Sequence, residues 1–221
     1  MLSPKLIEFY KNLLPPVVPK GFEILHPQPS AEVMRVVRKF FTKYYSDNRP
    51  RKLLLGINPG RHGAGITGIN FTAPRQLTND CGIEHPWGNR SELSAEFIYA
   101  MIDLYGGPQK FYSHFFIGAV SPLGYIKEGK NINYYDDKGL QKAVTPFIVE
   151  TIQKQLSMGL SSEVCLCIGG EKNYKFLSGL NEAHEFFQKI IPLAHPRFIM
   201  QYRRKKMEEY IRQYLDALDS C

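Results

Sequence analysis

Leu53-Leu54-Leu55-Gly56-Ile57-Asn58-Pro59-Gly60-Arg61-His62-Gly63-Ala64-Gly65-Ile66-Thr67-Gly68-Ile69-Asn70-Phe71 joins an apolar run to a glycine-rich loop. The leucines, bounded by Arg51-Lys52 and Gly56, read as a buried strand. In an open α/β sheet, ligands bind where strands release their loops at the carboxyl ends. Glycine lets backbone N–H groups approach a ligand and takes up positive φ without steric cost. A loop with glycines at 56, 60, 63, 65 and 68, carrying Asn58, His62, Thr67, Asn70 and Phe71, is therefore read as a site and not as a plain turn.

The flanking sequence repeats the alternation of strand and helix. Upstream, residues 3–14 place Leu6, Phe9, Tyr10, Leu13 and Leu14 at helical spacing, and residues 15–29 form a proline-rich connector. Ser30 is positioned to cap a helix running to about Tyr45. Downstream, residues 72–90 show no clear period. Asn89 with Glu92 resembles a capping box for a helix ending at Gly106-Gly107-Pro108. Phe115–Val120 reads as the second strand, residues 124–140 as polar loop, and Thr145-Pro146 as the start of a helix reaching Met158. Val164–Ile168 and Phe187–Leu193 supply strands three and four around a helix at 171–180, and a last helix carries Met207, Ile211, Tyr214 and Leu218. The expectation is one domain over residues 1–221. It is a three-layer α/β/α fold with a central, mostly parallel four-stranded sheet.

Composition fits a soluble globular chain, with 43% hydrophobic and 22% charged residues. The net charge of +7 favours a polyanionic partner. Cys165 and Cys167 share one face of a strand and read as small core residues, and the absence of any C-x-x-C pair argues against zinc or iron–sulfur ligation. No metal or cofactor is expected. No apolar run is long enough to span a bilayer, and no signal-peptide pattern opens the chain.

Strand ends in such a sheet share one rim, which brings Asn58, Ser121 and His195 together although they lie far apart in sequence. Gly63-Ala64-Gly65-Ile66-Thr67-Gly68 formally matches the dinucleotide-binding G-x-G-x-x-G pattern. It does not begin at the strand end, however, and opens into Asn70-Phe71-Thr72-Ala73-Pro74 instead of a helix. No Walker-type lysine follows. A nucleic-acid-binding protein without catalysis remains an alternative.

Taken together, Gly56-Ile57-Asn58-Pro59-Gly60, Gly68-Ile69-Asn70-Phe71 and His195-Pro196 resemble the uracil-DNA glycosylase superfamily, most closely its single-strand-selective monofunctional branch in a bacterial-type variant. The resemblance continues through Glu92–Phe97, Tyr105–Pro108, Ser121-Pro122-Leu123 and Gly129-Lys130-Asn131, and so covers about residues 50–200. Residues 27–49 match it only loosely and the first two dozen not at all; residues 1–28 read as an N-terminal helix with its proline-rich connector, and 201–218 as a C-terminal helix. The resemblance implies a monomeric enzyme that flips a damaged base from DNA and hydrolyses its N-glycosidic bond. Asn58 would orient the attacking water, because an amide is too weak a base to remove a proton. His195 would stabilise the departing base anion. Phe71 would stack on the flipped base, with Ile57, Gly60, Gly65, Ala119 and Ser121 around it. His62 would lie in the phosphate-approaching loop. The expected location is a reducing cytoplasm, that of a bacterial cytosol or nucleoid.

Two departures from the family pattern stand out. Ala119 occupies the position of the asparagine that reads the uracil edge, so xanthine and hypoxanthine become candidates beside uracil. The loop after the histidine is also different. Arg197 and Phe198, followed by Arg203, Arg204 and Lys205, read as a wedge and phosphate contacts. Equally, Phe198 and Ile199 read as core residues ahead of a solvated basic helix start.

Overall fold

The computed structural model describes all 221 residues. In chain order the elements are α1 (Leu2–Lys11), β1 (Phe22–Leu25), α2 (Ala31–Tyr45), β2 (Lys52–Gly56), α3 (Ala64–Thr67), α4 (Pro74–Asn79), α5 (Leu93–Tyr105), α6 (Gly107–His114), β3 (Phe115–Ala119), β4 (Gly124–Lys127), β5 (Lys130–Ile132), α7 (Lys138–Ser157), β6 (Val164–Ile168), α8 (Gly170–His184), β7 (Lys189–Leu193), α9 (Pro196–Tyr202) and α10 (Met207–Asp219). No helix is long and apolar enough to cross a membrane.

Four strands form a parallel sheet in the order β3-β2-β6-β7. Their apolar runs are buried because helices cover the sheet; Leu54, Leu55, Leu166 and Ile168 are all fully enclosed. The chain leaves β2 toward β3, then crosses back past β2 to β6 and β7. Its direction therefore reverses beside β2, which places a crevice at the carboxyl ends of β2 and β6. Helices α5, α9 and α10 pack together, while α8 lies on β6 and β7. This is the expected three-layer α/β arrangement.

A fully buried cation anchors the entry to the sheet. Arg51 pairs with Asp47 at 2.8 Å and donates to the carbonyls of Tyr112 at 2.7 Å and Arg49 at 2.6 Å, tying the end of α2 to α6 and the start of β2. Its charge is paired and all-round hydrogen-bonded, the condition under which burying a guanidinium is tolerated. The same contacts hold the Asp47 carboxyl far below its ordinary range.

Several local expectations are corrected. Residues 124–140 are not all loop: β4 and β5 form a hairpin that pairs antiparallel with β1, so the proline-rich connector contributes a strand to a second, three-stranded sheet. Residues 72–90 contain α4. Pro146 lies inside α7, which starts eight residues earlier, where Asp137 accepts from the N–H groups of Gly139 and Leu140 at 2.9 and 3.0 Å. A true cap of this kind sets the helix start more firmly than a permissible proline. The Asn89–Glu92 capping box does not form, because Glu92 is itself the capping position of α5 and its side chain makes no cap bond. The C-terminal segment is not one helix over 201–218 but α9, a 3-10 turn at Arg204–Lys206, and α10.

Candidate active site

Asn58 follows β2 by two residues, and its amide is gripped at both ends by the segment leaving β5. The Asn58 Nδ2 donates to the carbonyl of Ile132 at 3.3 Å, and its Oδ1 accepts the Tyr134 N–H at 3.1 Å. A carbonyl can only accept and a backbone N–H can only donate, so these partners fix which way the amide points. The holding segment is itself immobilised. Tyr134 is fully buried, and its hydroxyl donates to Asn173 Oδ1 at 2.6 Å. One lone pair of Oδ1 is left unused by the protein, an acceptor suited to positioning a single water.

Phe71 sits in the left-handed region at φ 52°, where a non-glycine residue is strained, a condition that clusters at functional sites. Its ring lies against Gly56, where a Cβ would come within 2.6 Å of Cε2. Glycine at the end of β2 is therefore what lets the ring close over the strand. The His195 ring is 6.0 Å from that of Phe71, centroid to centroid.

His195 caps α9, and its Nδ1 accepts the Arg197 N–H at 3.1 Å. With Nδ1 accepting, the neutral ring carries its proton on Nε2 and is a donor there. Burial, reinforced by the nearby Arg197 cation, pushes the His195 pKa down to about 4. The imidazole is thus neutral at physiological pH. Because this folded-state value lies below the ordinary 6.5, the unfolded chain binds the extra proton first on acidification. The stability held above pH 6.5 is lost as the pH falls toward 4. Urea midpoints measured at pH 7 and 4.5 are expected to fall less in His195→Gln than in the wild type.

Asn58, Phe71 and His195 line one cavity of about 380 Å³, at the small end of ligand pockets. Of the other residues expected there, Ile57, Gly60, Ala119, Arg197 and Phe198 also line it. Ser121 does not: it is fully buried, its hydroxyl donating to the Leu123 carbonyl at 2.9 Å and bonding the Tyr125 hydroxyl at 2.8 Å. Gly65 is likewise outside, its N–H donating to the Gly60 carbonyl at 2.9 Å, so it shapes the loop instead of touching a ligand. His62, Arg203, Arg204 and Lys205 are exposed beyond the cavity lining, and the Arg203 guanidinium lies 5.5 Å from the Phe198 ring. Phe198 and Tyr202 are solvent-exposed at 42% and 67%, whereas Ile199 is fully buried. The choice between wedge and core thus divides: Phe198 projects at the mouth and Ile199 packs inside.

Asn131, Asn133, Tyr135 and Tyr202 line the cavity without having been singled out as site residues. The first three come from β5 and the turn after it, which polarity alone marked as loop. Glu92 lines it too, with no hydrogen-bond or ion-pair partner for its carboxylate; burial pushes its pKa up, against the Arg197 charge. No set of three His, Cys, Asp or Glu side chains is arranged to hold a metal ion.

A family model described as the uracil DNA glycosylase superfamily matches residues 42–219. The chain belongs to that superfamily. Among solved structures, this superfamily chain is similar to the crystal structure of wild-type SMUG2 from Pedobacter heparinus. The two are 43% identical, with a TM-score of 0.95, over 99% of this chain and 97% of that one. No curated protein matches the chain.

Proposed function

We propose that this protein is a monofunctional DNA glycosylase that flips a deaminated base into the cavity and hydrolyses its N-glycosidic bond. One observation carries the reading. A rigidly held amide, an aromatic wall and a neutral imidazole donor, from three distant parts of the chain, line a single pocket at the carboxyl ends of a parallel sheet. Base excision needs those three functions: a placed water, a stacking surface for the flipped base, and a donor for charge appearing on the departing base. Because no lysine lines the cavity, no Schiff-base step is available, and base release without strand cleavage follows. The net charge of +7 suits DNA as the partner.

Substrate choice turns on Ala119. It pairs with Gly56 across β2 and β3, at the floor beneath Phe71, and its methyl group offers no hydrogen bond to a base edge. Uracil is the first candidate, with xanthine and hypoxanthine admitted by the same absence. The test is an excision panel of oligonucleotides carrying uracil, xanthine, hypoxanthine or an oxidised pyrimidine, single- and double-stranded, cleaved by alkali after incubation. Alkali-labile sites on a deaminated base are expected. DNA binding with no such sites on any substrate would instead leave a non-catalytic binding protein. In the same panel, Ala119→Asn is expected to shift the ranking toward uracil, and an unaltered ranking would remove position 119 from base recognition.

A further inference from the structure

The polar groups of the cavity other than Glu92 fit a site that receives a polyanion and a neutral base: amides, hydroxyls, a neutral imidazole and Arg197. Glu92 does not. It is the sole acidic side chain in the lining, and it stands where it repels incoming phosphates. Glu92 holds the N-cap position of α5, where short side chains such as Ser, Thr, Asp and Asn bond the free N–H groups, and its longer side chain makes no cap bond. Its carboxylate instead turns over the loop after β2, where a Cβ on Gly63 would lie 2.6 Å from Oε1 and 2.7 Å from Cδ. The bare glycine leaves the room the carboxylate uses. No arginine or lysine comes within 4 Å of it, so its negative charge is left uncompensated by a direct partner.

Arg197 and the positive end of α5 offset part of the Glu92 charge at rest; the remainder is offset when further positive charge develops beside it. In the proposed reaction that happens once. The C1′–N bond breaks with its electron pair leaving on the base nitrogen, and the sugar becomes cationic. Water then adds to C1′, and the proton it loses ends on the departed base. The Glu92 carboxylate lies against Gly63 at the end of the loop after β2 and within the field of the Arg197 charge, on the wall of the same cavity. A sugar joined to a base held in that cavity would pass beside it. We propose that the Glu92 carboxylate is a catalytic group that stabilises the sugar cation, the opposite pole to His195 on the departing base. This inference rests on the glycosylase reading above. The placement follows the general rule that charges fixed in advance in a partly dry site favour the transition state over the ground state.

The discriminating variant is Glu92→Gln, which keeps the shape and removes the charge. Single-turnover excision is expected to slow by about tenfold or more, while affinity for the same oligonucleotide rises, because a repulsive charge has gone. The thermal midpoint is expected to hold or rise, since no cap bond is lost. The slowing must be alike on every base the wild type excises, because the sugar is common to all. Glu92→Asp should recover part of the rate. An unchanged rate, a slowing matched by weaker DNA binding, or a slowing confined to one base would each overturn the inference while leaving the glycosylase reading intact. A wild-type protein that releases no base from any oligonucleotide would overturn both.

Discussion

His195→Ala is expected to slow base release by at least about a hundredfold while leaving the fold and DNA affinity near wild type. The figure is the scale for losing one preorganised donor to a developing anion, about 2.7–4 kcal/mol of transition-state stabilisation. The structure makes the loss specific to chemistry. The ring's second nitrogen is engaged by the Arg197 N–H, so the imidazole is held in one orientation and one tautomer before substrate arrives. With a pKa near 4 the ring is already the neutral donor from pH 6 to 8, and its contribution to the rate is expected to be flat across that range. Single-turnover excision at several pH values, with DNA affinity measured in parallel, is the check. A variant that excises at the wild-type rate would remove His195 from the mechanism.

Asn58→Ala is expected to cost about two decades in single-turnover rate, the scale on which small misplacement of a reactant slows a reaction. The amide's value lies in its fixity: the Ile132 carbonyl and the Tyr134 N–H hold opposite ends of it, so its remaining acceptor points at one spot. Alanine leaves that carbonyl and that N–H unpaired at the edge of the cavity, where water can satisfy them, so the stability loss is expected to stay near the 1 kcal/mol typical of a hydrogen bond. Rate and melting temperature together separate the outcomes. A large drop in stability with an unchanged rate for the folded fraction would make Asn58 a strut and not a catalytic group.

The parallel sheet was legible because its strands are short apolar runs closed by glycine or by polar turn residues, a pattern that burial on both faces imposes. A parallel sheet brings Asn58, Ser121 and His195 to one rim, since that architecture gathers strand ends regardless of distance along the chain, whereas Ala119 is marked only by the family resemblance. The second sheet was hidden. β4 and β5 are four and three residues long and carry Lys127 and Lys130, and β1 lies among prolines. Each is defined by its pairing with the others and by no periodicity of its own. Ser121 was misplaced for a related reason. A strand end marks which residues reach the rim, but the direction of a hydroxyl depends on the partners around it, here the Leu123 carbonyl that accepts from it and the Tyr125 hydroxyl, both behind the cavity wall. Glu92 looked like half of a capping box because spacing alone does not show where a helix takes its first turn.

The three-stranded sheet also bears on where this protein can be cut. The segment matched by the family model begins at residue 42, downstream of β1. Yet β1 is the partner that completes β4, β4 carries β5, and the chain leaving β5 is what grips Asn58. A fragment trimmed to the matched boundaries would retain the cavity-lining side chains and lose the outer stave that braces one of them. The amino-terminal region is thus scaffolding for the pocket, even though it contributes no residue to the lining.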